Sequence, residues 1–330
     1  MSEKEINVIG IGNAVVDVLT HTDDAFLKKH ELDKGGMTLI DAKRAEFLYS
    51  KMGQCVEMSG GSAGNTMAGI ASLGGSGAYI GKVANDQLGE VFGHDMRSVG
   101  IEFDTDPLFD GAPTARCLIL ITPDAQRTMN TFLGACVELG PKDIDPNLIA
   151  RGKVTYLEGY LFDPPKAQEA FVKAARIAHE NGRKVSLSLS DKFCVDRHRE
   201  AFMELLDHHI DVLFANETEI LAMFETDDFE EAVRRVRGKC EVAALTRSEK
   251  GAVIVHADGT EEVAAEPVDK VVDTTGAGDL YASGFLHGYT NGRPLAECAR
   301  LGAIAAAEVI SHDGARPETS LKDLVAQKMG

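Results

Sequence analysis

Short apolar runs rich in β-branched residues alternate with amphipathic helical segments along most of this chain, and this alternation is its strongest constraint. The strand candidates are residues 6–12, 154–157, 184–189, 212–215 and 242–246. Apolar residues at spacings of three and four predict helices between them, for example over 167–181 and 229–237. Strands that alternate with helices predict an α/β fold, in which a mostly parallel sheet lies between helical layers.

Two segments, residues 14–45 and 114–132, break this alternation and are expected to be extended. The second contains Pro123-Asp124, which is typical of the turn of a β-hairpin. We therefore predict a small β-sheet that forms a lid over the substrate site. The predicted division places 1–13, 46–106 and 133–330 in a large nucleotide-binding and catalytic domain, and 14–45 and 107–132 in the lid.

The charge balance restricts the partners of the chain. Its 34 Lys and Arg against 52 Asp and Glu give a formal net charge of −18, which repels nucleic acid and anionic lipid. We expect neither as a partner.

The six cysteines are widely spaced with no CxxC, so neither a disulfide framework nor a zinc site is predicted. With no signal peptide or long apolar run, we expect a cytoplasmic protein. As a separate expectation, the protein is a monomer rather than a dimer.

The most informative motif is residues 271–279, which precede a helical pattern. Gly276, Ala277 and Gly278 would leave backbone N–H groups bare at a helix start, where an anion is favoured. A carboxylate at Asp279 would repel a phosphate there unless it served another purpose, such as accepting a proton from an attacking hydroxyl. The alternative is a glycine turn whose acidic residue only stabilises the helix.

Two further polar motifs precede or follow predicted strands and helices. Gly60 and Gly61 allow a ligand to approach the backbone, and Asn65 offers a donor and an acceptor to a polyol. The alternative is a hinge that precedes a helix.

After the first strand come Asn13 and Asp17, in the crevice where open α/β sheets bind ligands. A dinucleotide fingerprint begins nearby, but Val15 stands where its third glycine belongs, so nicotinamide binding is not expected.

Candidate phosphate and metal ligands lie farther along the chain. Glu219 follows Asn216 by three residues after a strand, and carboxylates suit the water shell of Mg²⁺. Helix capping is the equally available interpretation of this pair. Arg127 is a lone cation in the predicted hairpin, suited either to the solvated surface or to a bidentate contact with phosphate.

The order and spacing of these motifs resemble the ribokinase (PfkB) family of carbohydrate kinases. Residues 60–65 match its N-terminal signature and 273–279 its C-terminal signature, and the resemblance runs from about residue 6 to 317. It implies a ribokinase-like three-layer α/β/α sandwich with a β-sheet lid. Within the family the chain is most similar to adenosine kinases, because three residues separate Asn13 from Asp17. The segments 35–39 and 311–317 do not match those kinases closely.

The resemblance implies a kinase that uses ATP and Mg²⁺ to phosphorylate the 5′-hydroxyl of adenosine or a similar nucleoside or sugar. Asp279 would be the base, Gly276, Ala277 and Gly278 the anion hole, and Arg127 a phosphate contact from the lid. The implied substrate-binding residues are Asn13, Asp17, Gly60, Gly61, Asn65, Met129 and Tyr160, with Phe162 as another surface for adenine. Packing in the core is the alternative role for Met129, Tyr160 and Phe162. The implied nucleotide-binding residues are Asn216, Thr246, Gly251, Thr274, Gly276 and Gly278, and Glu219 would hold Mg²⁺ through water.

Two other functions remain open from the sequence. The first is a kinase of the same family that acts on ribose, fructose, 2-keto-3-deoxygluconate or another nucleoside. The second is a non-catalytic nucleoside or nucleotide sensor, which would have no need of Asp279. A requirement for K⁺ stays undecided, because such sites use backbone carbonyls that any residue supplies.

Overall fold

The computed structural model describes residues 4–124 and 126–330, and its larger sheet confirms the predicted α/β class. The strands are, in chain order, β1 (Ile6–Ile11), β2 (Val15–His21), β3 (Met37–Leu39), β4 (Val56–Gly60), β5 (Gly77–Ile80), β6 (Ile101–Glu102), β7 (Ala115–Ile121), β8 (Arg127–Phe132), β9 (Gly152–Glu158), β10 (Lys184–Ser188), β11 (Val212–Asn216), β12 (Val242–Thr246), β13 (Ala252–His256) and β14 (Gly259–Val263). Each of the five strands expected in the main sheet is present, with bounds that differ by at most two residues.

The helices cover both faces of the larger sheet. In chain order they are α1 (Asp24–Lys29), α2 (Ala42–Tyr49), α3 (Ser62–Ser72), α4 (Gln87–Ser98), α5 (Pro146–Arg151), α6 (Pro165–Glu180), α7 (Lys192–His208), α8 (Glu217–Phe224), α9 (Phe229–Val236), α10 (Ala277–Thr290), α11 (Leu295–Val309) and α12 (Leu321–Met329). Among the described residues, no helix is both long and apolar enough to cross a membrane.

The larger sheet has the strand order β14-β13-β12-β11-β10-β9-β1-β5-β6 in the described part of the chain. Its strands run parallel from β12 to β6, and β13 and β14 are added antiparallel at one edge. Successive side chains point to opposite faces, so Ile9 and Ile11 join one buried core and Val8 the other. Two apolar cores on either side of one sheet make the three-layer sandwich that was predicted.

The smaller sheet has the order β3-β8-β7-β2-β4 in the described residues. The expected hairpin is present, because β7 and β8 pair antiparallel on either side of Pro123 and Asp124. The prediction that 46–106 lies wholly in the larger body is wrong for β4, which pairs with β2 in the smaller sheet.

The prediction of extended chain throughout 14–45 is also wrong, because α1 and the start of α2 lie within it. The physical reason is helix capping. The carboxylate of Asp23 accepts a hydrogen bond from the Phe26 N–H, and Asp41 does the same for Arg44, so each satisfies a free donor of the first turn. Buried Leu27 and Leu48 then hold the two helices in place.

Candidate active site

Asp279 lies in the first turn of α10, where its carboxylate is held by two side chains of α3. Its Oδ1 accepts a hydrogen bond of 2.6 Å from the Ser62 hydroxyl, and its Oδ2 accepts one of 3.1 Å from the Asn65 amide. The two predicted signatures, 60–65 and 273–279, therefore meet at this carboxylate. Burial raises the pKa of Asp279 to about 6, against the opposing effect of the hydrogen bonds from Ser62 and Asn65.

The contact between α3 and α10 depends on a small residue. A Cβ built on Gly69 of α3 would lie 2.3 Å from Oγ of Ser283 and 2.7 Å from Cδ1 of Leu280, both on α10. Only glycine allows the helices to approach this closely. The same approach brings the first turns of both helices together and places Ser62 and Asn65 beside Asp279.

The backbone at the start of α10 has the form of an anion-binding turn. Gly276 has φ of 81° and ψ of −2°, a left-handed conformation that suits glycine. Within the described chain, the N–H groups of Gly276 and Gly278 have no hydrogen-bond partner, and a Cβ on Gly278 would meet no atom within 4 Å. The Ala277 N–H instead donates to the Thr274 carbonyl at 3.2 Å, so it is less free than the other two donors. Thr274 itself is exposed.

Arg127 connects the smaller sheet to the loop that precedes α10. Its guanidinium lies 3.0 Å from the Asp273 carboxylate and 3.2 Å from that of Asp313, and its side chain is only 8% exposed. Asp273 also accepts hydrogen bonds from the Thr275 N–H and hydroxyl and from the Gly314 N–H. Arg127 is therefore a buried, paired cation beside the α10 turn, and the surface interpretation of this arginine is wrong.

Asp17 lies on β2, and its carboxylate accepts no hydrogen bond from the described residues. A Cβ on Gly60 would lie 2.3 Å from Oδ2 of Asp17, so the absence of a side chain at Gly60 makes the space for this carboxylate. Burial raises the pKa of Asp17 to about 6, the charges of Arg316 and Arg127 act in the opposite direction, and that of Asp279 raises it further. An unpaired, partly buried carboxylate is available for a ligand.

Asn13 is directed toward Glu158, a residue to which the sequence assigned no role. The Asn13 side chain and backbone N–H groups donate to Oε1 of Glu158 at 2.7 and 3.2 Å, and the Ala63 N–H donates to Oε2 at 2.8 Å. Burial raises the pKa of Glu158 to about 7. This carboxylate joins the ends of β1 and β9 to the start of α3. Gly61 caps the same helix with φ of 83°. Its position at the end of a predicted strand is a sequence signal that could have identified it.

Arg316 is a second residue that the sequence did not identify, because it lies in the poorly matching segment 311–317. Its Nε donates to Oδ1 of Asn65 at 3.4 Å, and its Nη2 lies 3.9 Å from Sδ of Met96. The buried amide of Asn65 therefore lies between Asp279 and Arg316. A lone arginine in a loop carries no sequence signal that separates such a position from a solvated one.

The three candidates for an adenine-binding surface lie in different surroundings. Met129 is half-buried on β8, opposite Ile119 on the neighbouring strand. Tyr160 is 38% exposed, and burial together with the charges of Asp191 and Asp279 raises its pKa. Phe162 is buried in the core, stacked on Phe202 at 4.6 Å between ring centroids. Phe162 is therefore a core residue, and Met129 and Tyr160 remain as accessible candidates.

Asn216 and Glu219 form a reciprocal capping box at the start of α8. The Asn216 N–H and side-chain amide donate to Glu219 at 2.9 and 2.6 Å, and the Glu219 N–H donates to Oδ1 of Asn216 at 2.9 Å. Burial raises the pKa of Glu219 to about 7, and the charge of Asp191 contributes. The capping interpretation is thus correct, although it leaves carboxylate lone pairs available.

The remaining nucleotide candidates follow β12. Thr246 pairs with Asn216 in the sheet, so these two residues lie side by side at the same strand ends. The Gly251 carbonyl accepts a 2.7 Å hydrogen bond from the Arg247 N–H and so closes the turn between β12 and β13.

No group of three or more His, Cys, Asp or Glu side chains in the described chain is arranged to hold a metal ion. Mg²⁺ commonly takes one or two carboxylates, with waters and substrate phosphates as its other ligands. Burial is the main cause of the raised pKa of Glu219, and the negative charge of Asp191 adds a smaller effect. This donor set fits a Mg²⁺ ion that is bound mainly through water and phosphate.

Comparison with known proteins agrees with this geometry. The model of the pfkB family of carbohydrate kinases matches residues 30–321. The solved structure of adenosine kinase from Sinorhizobium meliloti is 54% identical, covers 98% of this chain and 99% of its own, and has a TM-score of 0.90. The "probable sugar kinase protein" of Rhizobium etli CFN 42 is 52% identical, with 99% of each chain covered and a TM-score of 0.91. Adenosine kinase of Saccharomyces cerevisiae is 28% identical over 93% of this chain and 95% of its own.

The two signatures meet at one carboxylate, the fold is a sandwich with a small second sheet, and the family model spans most of the chain. The chain therefore belongs to the pfkB family of carbohydrate kinases and is a phosphotransferase that acts on a hydroxyl group.

Proposed function

We propose that this kinase transfers the γ-phosphoryl group of ATP to the 5′-hydroxyl of adenosine, giving AMP and ADP. The observation that carries the proposal is the Asp279 carboxylate, fixed by Ser62 and Asn65 next to the unpaired N–H groups of Gly276 and Gly278. The 54% identity to the adenosine kinase of Sinorhizobium meliloti supports adenosine as the acceptor.

Asp279 acts as the general base in this proposal. With a pKa of about 6 its carboxylate is a stronger base than an ordinary aspartate, yet it is far too weak to ionise an alcohol beforehand. The O–H proton moves to Asp279 only as the new P–O bond forms and the bond to the ADP oxygen breaks. Ser62 and Asn65 fix the carboxylate so that it orients the hydroxyl.

The transferring phosphoryl group lies against the start of α10. Backbone donors at Gly276 and Gly278, with a smaller contribution from Ala277, stabilise the charge on its oxygens without reorganisation. Arg127 gives up some of its ion pairs with Asp273 and Asp313 and contacts the phosphate oxygens instead. Because Arg127 belongs to the smaller sheet, this exchange would couple phosphate binding to the position of the lid and exclude competing water.

The nucleoside lies between the smaller sheet and α3. The free carboxylate of Asp17 accepts the ribose hydroxyl protons, Asn13 and Asn65 contact the sugar edge, and Gly60 and Gly61 allow the sugar to approach the backbone. Met129 and Tyr160 provide apolar surface for the base.

ATP lies along the ends of β11 and β12, in contact with Asn216, Thr246, Gly251 and Thr274. Glu219 would hold Mg²⁺ through water, and the ion supplies positive charge to the phosphate oxygens when it is bound. We propose that the enzyme acts as a monomer in the cytoplasm, without nucleic acid or membrane as a partner.

A panel of acceptors tests the proposal. Release of ADP from ATP and Mg²⁺ is measured with adenosine, cytidine, ribose, fructose and 2-keto-3-deoxygluconate, each with and without K⁺, and the product is identified by mass. We expect adenosine to have the highest kcat/KM and to give AMP. A higher value with a free sugar would favour the sugar kinase that the resemblance to the Rhizobium etli protein supports. Adenosine binding with no ADP release on any acceptor would favour the sensor.

A further inference from the structure

Arg316 lies against the first turn of α3, in the loop between α11 and α12. Its Nε donates to Oδ1 of Asn65 at 3.4 Å, and a Cβ on Gly64 would lie 3.6 Å from its Nη2. Its guanidinium is therefore packed on the same helical turn that supplies Ser62 and Asn65 to Asp279.

The half-buried guanidinium of Arg316 has few polar partners. Among the described residues no carboxylate oxygen comes within 4 Å of it, and its other close polar contact is the sulfur of Met96 at 3.9 Å. Burial lowers the pKa of Arg316, and attraction to Asp17 and Asp95 opposes this effect. A guanidinium remains charged at physiological pH, so this position carries a permanent positive charge.

A chain of hydrogen bonds leads from Arg316 to Asp279. Arg316 donates to the oxygen of the Asn65 amide, and the nitrogen of the same amide donates to Oδ2 of Asp279. An amide has one accepting and one donating end, so a donor at Oδ1 fixes its NH₂ group toward Asp279. If the amide turned over, its oxygen would face the carboxylate and repel it.

We propose that Arg316 is a positioning residue, which orients the Asn65 amide for Asp279. The inference rests on the proposed function and adds to it a residue of segment 311–317. Orientation of Asn65 needs a donor at the position of Nε, and a cation that lacks this donor does not supply it.

Three variants test the inference: Arg316→Lys, Arg316→Met and Arg316→Ala. For each, the Kd of adenosine is measured without ATP, kcat is measured at saturation, and the midpoint of thermal unfolding is recorded. We expect Arg316→Met to lower kcat by about tenfold to 10²-fold while the Kd stays within about threefold of wild type, because the Asn65 amide loses the donor that orients it toward Asp279. Arg316→Lys should lower kcat nearly as far, because its ammonium does not reproduce the donor at Nε.

Chemical rescue separates positioning from a purely structural role. Adding methylguanidinium to Arg316→Ala should restore part of its kcat, because the small cation can occupy the space of the lost side chain. The matched control is Arg293→Ala, which removes an exposed arginine that is paired with Glu297. It should keep wild-type kcat and show no response to methylguanidinium.

Two results would overturn the inference. One is a kcat within twofold of wild type in both the Lys and the Met variant. The other is an equal loss of kcat in all three variants, with a lower unfolding midpoint and no response to methylguanidinium. A wild-type enzyme that binds adenosine but does not phosphorylate it would overturn the proposed function instead.

Discussion

The Ser62 hydroxyl donates a 2.6 Å hydrogen bond to the Asp279 carboxylate, although 217 residues separate them in the chain. The bond joins the first turn of α3 to the first turn of α10. A second bond from Asn65 holds the other carboxylate oxygen, so Asp279 has one fixed orientation. Because the carboxylate is already held in place, little entropy is lost when it aligns with the substrate hydroxyl. This alignment favours efficient proton transfer.

Asp279→Asn should lower kcat for adenosine by about 10²-fold or more while the KM values for ATP and adenosine stay within a few-fold. The amide retains the shape of the carboxylate and loses its basicity. The measurement is steady-state ADP release. Asp258→Asn, in the exposed turn between β13 and β14, is the matched control and should behave as wild type. Full activity in Asp279→Asn would remove Asp279 from the mechanism.

The pH profile of kcat/KM for the nucleoside should fall below about pH 6. Asp17 and Asp279 both have pKa values of about 6, and both act as carboxylates in the proposed mechanism. Because two groups must lose a proton, log kcat/KM should approach a slope of about 2 on the acid side. In Asp17→Asn the residual activity should show a slope of about 1. A flat profile down to pH 5 would contradict these assignments.

Asp279 should also reduce the stability of the folded protein at neutral and alkaline pH. Its folded pKa of about 6 exceeds its ordinary value of 3.8, so the folded state disfavours the charged carboxylate. The resulting loss in the free energy of unfolding is complete above about pH 6 and disappears as the pH falls below 3.8. Asp279→Asn should therefore be more stable than wild type at pH 8, by denaturant unfolding, and the difference should shrink toward pH 4. An equal difference at both pH values would be inconsistent with this linkage.

Gly60→Ala should raise the KM for adenosine by about tenfold, because the new Cβ would lie 2.3 Å from Oδ2 of Asp17 and displace that carboxylate. The KM for ATP should stay within about twofold, since the proposed ATP site lies at the ends of β11 and β12. In the control Gly53→Ala, the nearest atom to the new Cβ is Oγ1 of Thr20 at 3.9 Å, so both constants should be unchanged. A change in the KM for ATP alone would contradict the placement of Asp17.

Glu219→Gln separates helix capping from a role toward Mg²⁺. Glutamine can accept the hydrogen bond from the Asn216 N–H but loses the one from the Asn216 side-chain amide, so the free energy of unfolding should fall by no more than about 1 kcal/mol. The Mg²⁺ concentration for half-maximal activity should rise several-fold, because the charge is lost. Asn216→Ala is the comparison, since it removes the cap and should lower stability. An unchanged Mg²⁺ requirement in Glu219→Gln would limit Glu219 to capping.

Some contacts of the site could not be derived from residue spacing. Neither Glu158 nor Arg316 was assigned a role from the sequence, yet one binds Asn13 and the other Asn65. The helices α1 and α2 were missed because they are only six and eight residues long, so their periodicity is weak. Their capping aspartates, Asp23 and Asp41, were the stronger local signal.

The amino-acid sequence by itself determined the parallel sheet, the hairpin and the two signatures, because strand periodicity, turn residues and glycine motifs are local properties of the chain. Only the tertiary structure decided that β4 joins the smaller sheet, that Asn13 faces Glu158 and that Arg127 pairs with Asp273. These contacts join residues that are distant in the chain. They depend on which elements pack together and how closely, and close packing is a property of the whole fold rather than of any one segment.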